Sequence, residues 1–577
     1  MPTFSPPCQH GPRTKEWETA DAYLSGNVRA KLKEAEAAGD EYARHADSLR
    51  DVQPEDVLPG DIDANLGAPW IPATDVQAFA ADLFGVQPGS VQIAHLEKDV
   101  VWSVEPDYSA KRSVAATADY GTERTNGNWL LELALNMKTP VIYDPDPGDP
   151  DKWVVNPDAS LAAREKQKAI KEKFRGWVLA DPDRTERLVQ LDNDTYNNLR
   201  LRQFDGSHLA FPGMTDGITL RPHQVDAVWR GMSGGNTLLA HCVGAGKTFT
   251  MAATGMKMKQ AGLVRKPMFV VPNHMLEQFS REFLQLYPNA HLLVAAKDDL
   301  SRDRRKYLTA RIASGEWDGI IVTHSSFERI GMSRDYQADF LREQIEEYDQ
   351  LLVDRGRTNG NRANRNIIKS IEKQKARREA RLKELLAEDK KDDGLVFDEL
   401  GVDHLFIDEA HYFKNLETPT KMERVAGIQT GGSERAFDLF MKARYLDARH
   451  PGRGLCFATG TPVSNTMVEL YTLQRYLDPA SLIARGIEHF DAWAATFGEV
   501  VETMEISPDG QSLKARSRFA KFVNLPELQQ MFRSFADVQT AEMLDLPRPK
   551  LEGGKLHVIA CPMCTAQSGL QKELVAR

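Results

Sequence analysis

A glycine-containing loop is the first place where this sequence could do chemistry. Apolar residues 238–240 are followed by Val243-Gly244-Ala245-Gly246-Lys247-Thr248, after which a helical stretch begins. Two glycines permit a tight turn in which successive backbone N–H groups converge on phosphate oxygens at a helix N-terminus. In that arrangement Lys247 would contact the β- and γ-phosphates of a nucleotide, and the Thr248 hydroxyl would ligate Mg²⁺.

The loop departs from the full phosphate-loop pattern at one position. That pattern has glycine six residues before the lysine, and this chain has His241 there. A glycine-rich turn that joins a strand to a helix and binds nothing would look much the same. The choice between the two interpretations therefore depends on the rest of the chain.

Two adjacent acids, Asp408 and Glu409, end another apolar run and are followed by Ala410 and His411. At the carboxyl end of a strand, Asp408 would hold Mg²⁺ through water and Glu409 would orient or deprotonate an attacking water. Acids that cap a helix N-terminus are the structural alternative. That alternative does not explain the following Ala-His or the upstream Gly-Lys-Thr. We predict a catalytic set of Lys247, Asp408, Glu409 and His411.

Hydroxyl side chains end a further apolar run, over residues 455–458. Thr459, Gly460 and Thr461 follow this run, and Asn465 comes shortly afterwards. We expect these four residues to sense the nucleotide through Glu409 and to couple its state to bound nucleic acid.

A glutamine about twenty residues ahead of the glycine loop can read an adenine edge through its paired donor and acceptor. Gln224 follows Arg221 at this distance, although a proline-initiated helix with a solvated glutamine would give the same local sequence. The predicted nucleotide-binding set is Arg221, Gln224, Val243, Gly244, Ala245, Gly246, Lys247 and Thr248, with Thr248 and Asp408 as magnesium ligands.

Short apolar runs alternate with helical patterns over the region that contains these residues. Further runs of this kind lie at 267–271, 292–295 and 320–323. Strands that alternate with helices at this spacing predict a parallel, doubly wound sheet, in which ligands gather at the carboxyl ends of the strands. The predicted fold class is thus α/β.

Other segments surround and interrupt this pattern. Residues 338–394 predict an antiparallel helical hairpin whose second arm is basic, which suits either contact with DNA or a solvated surface with i,i+4 ion pairs. The predicted organisation is a disordered tail at 1–20, a mixed α/β accessory region at 21–205, the two halves of the sheet domain at 206–337 and 395–480, the hairpin between them, a helical extension at 481–545, and a linker with the start of a second lobe at 546–577.

Composition bounds the class of protein. The chain has 577 residues, 41% of them hydrophobic and 27% charged, which is typical of globular proteins with several domains. Five cysteines favour a reducing compartment over a disulfide framework, and no run reaches the ~20 apolar residues of a membrane helix. We therefore expect a cytoplasmic protein. The net charge of −10 excludes little, because charge acts locally.

Taken together, these segments resemble the first RecA-like lobe of superfamily-two helicases, and most closely the Swi/Snf-type double-stranded DNA translocases. Phosphate loops of that group also lack the first glycine. More narrowly, the chain resembles the helicase part of antirestriction-associated methylase–helicase fusions of phages and mobile elements. This narrower resemblance lies in Ala240-His-Cys-Val-Gly-Ala-Gly-Lys-Thr248, Val271-Pro-Asn-His274 and His489-Phe-Asp-Ala-Trp493.

The resemblance implies ATP and Mg²⁺ as ligands and duplex DNA as a partner. It also implies a second RecA-like lobe, which would supply arginines to the ATP site, and we expect this chain to be incomplete without it. A DNA methylase domain would lie outside the chain. Two other functions stay open, a non-hydrolysing ATP-dependent scaffold that recruits a methylase or nuclease, and an ATPase that acts on RNA. Cys561 and Cys564 are half of a zinc pattern, which we interpret as coincidence.

Overall fold

The fold is taken from a computed structural model of the chain. It describes residues 9–10, 17–96, 101–146, 148–295, 302–356, 362–387, 395–418, 420, 422, 425, 428, 432–464, 466–506, 513–544 and 559–576. The predicted linker at 546–554, most of the predicted tail at 1–20, Cys8 and Asn465 lie outside these residues.

The N-terminal part is a mixture of helices and two-stranded antiparallel ribbons. Its elements are β1 (Gln9–His10), β2 (Trp17–Glu18), α1 (Ala20–Tyr23), β3 (Gly26–Asn27), α2 (Val28–Ala37), α3 (Ala43–Arg50), α4 (Ala73–Phe84), β4 (Val91–Leu96), β5 (Val101–Pro106), α5 (Tyr108–Arg112), α6 (Gly127–Leu135), β6 (Tyr143–Asp146), β7 (Asp149–Val155), α7 (Pro157–Val178), α8 (Pro182–Thr195) and β8 (Leu199–Arg200).

From residue 222 onwards strands and helices alternate. The elements are α9 (Pro222–Ser233), β9 (Thr237–His241), α10 (Lys247–Gln260), β10 (Pro267–Val271), α11 (Leu276–Leu286), β11 (Leu292–Val294), α12 (Arg302–Ser314), β12 (Gly319–Thr323), α13 (His324–Phe327), α14 (Arg334–Gly356), α15 (Arg362–Ala387), β13 (His404–Asp408), α16 (Glu434–Arg449) and β14 (Leu455–Ala458).

The C-terminal part adds helices, a hairpin and one more strand. Its elements are α17 (Val468–Leu477), α18 (Pro479–Ala484), α19 (Phe490–Phe497), β15 (Gly498–Ile506), β16 (Leu513–Phe522), α20 (Leu525–Phe535), β17 (Ala536–Gln539) and α21 (Thr565–Ala576). Ile559 and Ala560, which were expected to begin a second lobe, are not in a strand.

Seven strands form one sheet in the order β11-β12-β10-β13-β14-β9-β17, and every neighbouring pair is parallel. Side chains of a strand alternate between the two faces of a sheet. Phe269 and Phe406 accordingly join one buried cluster with helices α9, α10 and α11, whereas Met268 and Leu405 join another with α12, α16 and α17. Helices thus cover both faces, which confirms the predicted RecA-like, doubly wound fold.

The predicted helical hairpin is present as α14 and α15, which pack against each other. Its basic second arm is partly held by the sheet domain. Arg378 pairs with Glu417 at 2.8 Å and Arg381 pairs with Glu434 at 2.7 Å, and both guanidinium groups lie over the Phe437 ring. These arginines therefore attach the hairpin to the body of the molecule. Lys369 and Lys373 have side chains outside the described residues.

The predicted helical extension over 481–545 is wrong at two places. β15 and β16 form an antiparallel hairpin, and β17 is the seventh strand of the sheet, parallel to β9. The four residues of β17 have no strong apolar pattern of their own. Their strand conformation comes from pairing with Leu238, Leu239, Ala240 and His241, which lie almost three hundred positions earlier in the chain.

The accessory region and the C-terminal helices share one hydrophobic core. Phe79, Phe174 and Tyr196 from the first region are buried in the same cluster as Trp493 and Phe497 from the second. The two regions were expected as separate units. Their common core packs helix α19 against the accessory region.

Among the described residues, none of the helices has the length and apolar character required to cross a membrane.

Candidate nucleotide-binding site

The predicted site residues follow three neighbouring strands at one edge of the sheet. β14 lies between β9 and β13, and Leu239, Ala458 and Asp408 are in register across the three strands. Because the strands are parallel, the glycine loop after β9, the acids at the end of β13 and Thr459 after β14 all lie at the carboxyl edge. The loop and the acids are separated by one strand.

The glycine loop has the backbone conformation that its two glycines permit. Gly244 and Gly246 have φ angles of +87° and +84°, a region that side chains other than glycine rarely adopt. Gly246 caps α10, which begins at Lys247, so the amides of the first helical turn point out of the helix end. Such an end favours an anion.

Lys247 folds back over this loop. Its Nζ donates a hydrogen bond to the His241 carbonyl at 3.1 Å. A Cβ atom added at Gly460 would lie 3.7 Å from the same Nζ, so the ammonium group reaches the segment that follows β14. A glycine at this position keeps that space open.

Gln224 contacts the loop directly from α9. Its Nε2 donates to the Gly246 carbonyl at 3.0 Å, and its Oε1 accepts from the Arg221 amide at 2.8 Å. The adjacent His223 also contacts the loop, through Nε2 and the Ala245 carbonyl at 3.0 Å. Both ends of the buried Gln224 amide are engaged within the chain. In this conformation the glutamine supports the loop instead of projecting into solvent.

Asp408 is buried at the end of β13. Burial, together with the neighbouring Glu409 carboxylate, raises the pKa of its carboxyl group to about 6, while the Glu409 amide and the Lys247 ammonium act in the opposite direction. The Glu409 amide donates to Asp408 Oδ1 at 3.0 Å.

The His411 ring connects Glu409 to Thr459. Glu409 has φ +50° and ψ +49°, a left-handed conformation that is costly for a residue with a side chain. His411 Nδ1 lies 3.0 Å from Glu409 Oε2 and 3.1 Å from Thr459 Oγ1. The Thr459 hydroxyl in turn accepts from the Thr461 amide at 3.1 Å. The His411 ring thus links Glu409 to the segment of Thr459, Gly460 and Thr461, which we call the coupling segment.

A buried histidine that the sequence analysis did not single out supports Asp408 from the other side. His324 Nε2 lies 2.9 Å from the Asp408 carbonyl oxygen. Burial lowers the pKa of His324 to about 4, so the ring is neutral near pH 7 and Nε2 donates its hydrogen to that carbonyl. His324 follows β12, whose carboxyl end lies at the same edge.

Lys414, which continues the acidic segment, binds the loop in front of α17. Its Nζ lies 2.9 Å from Glu469 Oε1 and 2.8 Å from Ser464 Oγ, and the Ser464 amide donates to Glu469 Oε2 at 2.7 Å. This ion pair, whose Glu469 is buried, joins the segment after β13 to the segment after β14. Glu469 gave no signal in the sequence, because its partner lies more than fifty residues away.

A nucleotide with Mg²⁺ fits the residues at this edge by their chemistry. The helix end and Lys247 provide positive charge for phosphate groups, and Thr248 and Asp408 provide oxygen ligands, which Mg²⁺ prefers. Protein sites bind Mg²⁺ through one or two carboxylates together with substrate phosphates. Cys561 and Cys564 are exposed, and the described residues contain no group of three or more His, Cys, Asp or Glu side chains that could hold a metal.

A parallel, doubly wound sheet with a phosphate-loop conformation and adjacent acids at its carboxyl edge defines a RecA-like protein of the helicase type. Residues 229–540, more than half of the chain, match the family model described as "Probable helicase domain", and the chain belongs to that family. Residues 65–198 match a second family, described as a domain of unknown function (DUF8437). The match covers much of the accessory region.

One curated relative is the "Defense against restriction protein B" of Escherichia phage P1. It is 23% identical over an alignment of 428 positions, and the match covers 66% of this chain and 18% of that protein. The chain therefore spans less than a fifth of the length of this relative. The predicted resemblance to Swi/Snf-like, helicase-related proteins of the antirestriction-associated group is confirmed.

Two solved structures of the Sulfolobus solfataricus SWI2/SNF2 ATPase core align with the chain at 15% identity. The alignment with the core in complex with dsDNA covers 58% of this chain and 46% of the Sulfolobus chain, with a TM-score of 0.31. The alignment with the core alone covers 60% of this chain and 50% of the Sulfolobus chain, with a TM-score of 0.30. The fold assignment itself rests on the seven-stranded sheet of this chain.

Proposed function

We propose that this chain is the ATP-binding lobe of a Swi/Snf-like motor that couples ATP hydrolysis to movement on duplex DNA. The observation that carries the proposal is that the loop of Lys247 follows β9 and that Asp408 ends β13, at the same edge of the sheet and on either side of β14. A second RecA-like lobe, on another part of the protein or another chain, would complete the site.

Each residue of the site has a role in this proposal. The amides at the start of α10 and Lys247 hold the phosphates, and Gln224 keeps the loop in the binding conformation. Thr248 and Asp408 would hold Mg²⁺, which would neutralise charge on the phosphate oxygens. Glu409 orients the attacking water and accepts its proton. His411 contacts both Glu409 and Thr459, and so relates the catalytic acid to the coupling segment.

Nucleotide binding is the first test, because it does not require a second lobe. Lys247→Ala should abolish binding of a fluorescent ATP analogue, since it removes the ammonium group that would bind the phosphates. Lys257→Ala is the matched control, because it removes a lysine further along the same helix that donates to the Ala210 carbonyl. Unchanged ATP affinity in Lys247→Ala would contradict the site.

Phosphate release with and without duplex DNA separates a motor from a non-hydrolysing scaffold. A motor lobe supplied with its second lobe should release phosphate faster when DNA is present, and Glu409→Gln should bind ATP but release no phosphate. A scaffold would bind ATP without stimulation by DNA. RNA that stimulates release better than duplex DNA would favour the third function, an ATPase that acts on RNA.

The predicted cytoplasmic location and the predicted methylase partner are part of the same proposal. The relative named for defence against restriction is consistent with a setting in which DNA is the shared substrate. Co-purification of this chain with a DNA methylase from the same source, dependent on the accessory region, would test the partner.

A further inference from the structure

A cavity of about 470 Å³ lies far from the predicted ATP site, between the accessory region and the β15–β16 hairpin. α7 and α6 provide one wall, and the other wall comes from the end of α19 and from β15. Its volume is within the range of ligand sites, roughly 300–1,000 Å³. No residue of the predicted nucleotide site lines it.

A row of basic side chains on α7 faces this cavity. Arg164, Lys168, Lys171 and Arg175 all line it, at positions i, i+4, i+7 and i+11 of one helix. Residues at this spacing share one helical face, and eleven residues of helix span roughly 16 Å. Lys521 lines the cavity from β16. The row is long enough to contact several charges of an extended anion.

The acidic groups at the cavity are fewer than the basic ones, although Lys168 Nζ also lies 3.8 Å from Glu172 Oε1, one helical turn further along α7. Glu165 and Glu499 are the two carboxylates among the lining residues, against five cationic side chains. Glu499 Oε1 lies 2.7 Å from Arg175 and its Oε2 lies 3.0 Å from Lys521. Although burial acts to raise it, hydrogen bonds from Lys521 and Arg175 lower the pKa of Glu499. The cavity therefore keeps a surplus of positive charge.

Apolar side chains form part of the cavity lining. Leu66, Met137 and Leu161 line it, and the Leu161 side chain is exposed. Asn65 also lines it, and its Oδ1 accepts from Arg175 at 3.2 Å, which orients the amide. The lining thus combines apolar surface with the charges of the basic row.

We propose that this cavity and the basic row of α7 bind a single strand of nucleic acid, with the phosphates along the row and one base in the cavity. A flat base would cover the apolar side chains that line the cavity. The inference rests on the proposed function in that it takes nucleic acid as the substrate, and it adds a contact outside the ATP-binding lobe.

A strand explains the features better than a duplex or a free nucleotide. Single-strand sites have a basic groove that follows the phosphate backbone, and their bases are unpaired. The bases of a duplex are stacked and paired, so a duplex would leave the cavity empty. A free nucleotide has its phosphates at one end, so it would contact only part of the row.

The test measures the affinity of the full chain for a short labelled DNA strand, without ATP, at several salt concentrations. Lys168→Glu and Lys171→Glu should each weaken binding by about tenfold, and the slope of log affinity against log salt should fall by roughly 0.7 for each lost phosphate contact. Lys173→Glu is the matched control, because it makes the same charge change on an exposed position of α7 outside the cavity.

Asn65→Leu separates the cavity from the charge. This variant changes a side chain that lines the cavity without a change in charge, so it should weaken strand binding and leave the salt slope unchanged. A duplex of the same length should bind more weakly than the strand, and adenosine monophosphate should displace the strand only at concentrations far above the strand's own Kd.

Three results would overturn the inference. These are equal losses in Lys173→Glu and Lys168→Glu, a duplex that binds as tightly as the strand, and displacement by the mononucleotide at concentrations near the strand's Kd. Lys247→Ala should bind the strand normally although it does not bind ATP. A failure of the ATP site and a failure of the strand site are therefore distinguishable.

Discussion

His241 Nε2 lies 2.6 Å from Asp537 Oδ2, and this contact joins the first residue of the phosphate loop to the last strand of the sheet. His241 is fully buried and takes the position at which the usual loop pattern has glycine. Its carbonyl oxygen also accepts the hydrogen bond of Lys247. β17 thus holds, through Asp537, the residue that positions the predicted phosphate-binding lysine.

Removal of Asp537 should therefore weaken both the fold and nucleotide binding. Asp537→Ala leaves the buried His241 ring without its carboxylate partner, and an unsatisfied buried polar group costs about 1–3 kcal/mol. Urea unfolding should show this loss, and the Kd for ATP should rise because the Lys247 anchor moves. Gln539→Ala, on the same strand, is the control. An unchanged Kd in Asp537→Ala would show that β17 does not position the loop.

The ion pair of Lys414 with the buried Glu469 should couple the two segments that it joins. Lys414→Met leaves the buried Glu469 carboxylate without this partner, and Glu469→Leu removes the acceptor of both Lys414 and the Ser464 amide, so each variant should destabilise the protein by about 1–3 kcal/mol. The double variant should lose less than the sum of the two. Urea unfolding of all four proteins measures this coupling energy, and additive losses would mean that the contact contributes nothing.

The contribution of Asp192 to the stability of the protein should decrease as pH rises from about 4 to 7. Burial, together with the nearby Glu527 carboxylate, raises the pKa of Asp192 from 3.8 to about 7. Between these values the folded protein keeps the proton that the unfolded chain releases, so the stabilisation present below pH 4 is lost as pH rises through 7.

Asp192→Asn should remove this decrease. The variant should gain stability relative to the parent protein over the same pH range, by an amount on the order of 3 kcal/mol. Thermal unfolding at a series of pH values provides the measurement, with Asp194→Asn on the same helix as the control. Parallel pH profiles for Asp192→Asn and the parent would contradict the assignment. The site tested joins the accessory region to the C-terminal helices.

The helical hairpin should detach when its two anchoring arginines are removed. Arg378→Ala and Arg381→Ala together remove the ion pairs to Glu417 and Glu434 and the contacts with Phe437. Limited proteolysis should then cleave the hairpin faster, because its second helix loses contacts with the sheet domain. Arg377→Ala, an exposed neighbour 4.0 Å from Glu417, should change the cleavage rate little.

Variants of the basic arm also test whether the hairpin contacts DNA. Duplex affinity that falls in Arg377→Ala and Lys383→Ala, whose side chains are exposed, would support DNA contact. Affinity that falls only in the two anchoring variants would show that the hairpin acts through its attachment.

Local sequence patterns were sufficient to predict the elements that glycine, proline and apolar residues mark. The strand before the loop, the two glycines with positive φ and the helix that begins at Lys247 all follow from the sequence of residues 238–251. The hairpin followed from its two helical periods. These features depend on residues close together in the chain, and so their physical causes are visible in a single window of sequence.

The amino-acid sequence by itself determined the α/β class, the order of the strands along the chain and the residue types at the predicted ATP site. Only the tertiary structure decided that β17 pairs with β9, that Asp537 binds His241, that Glu469 binds Lys414 and that the accessory region shares a core with α19. Each of these contacts joins residues that are distant in the chain. Their stability comes from burial and pairing in the folded state, which no local pattern encodes.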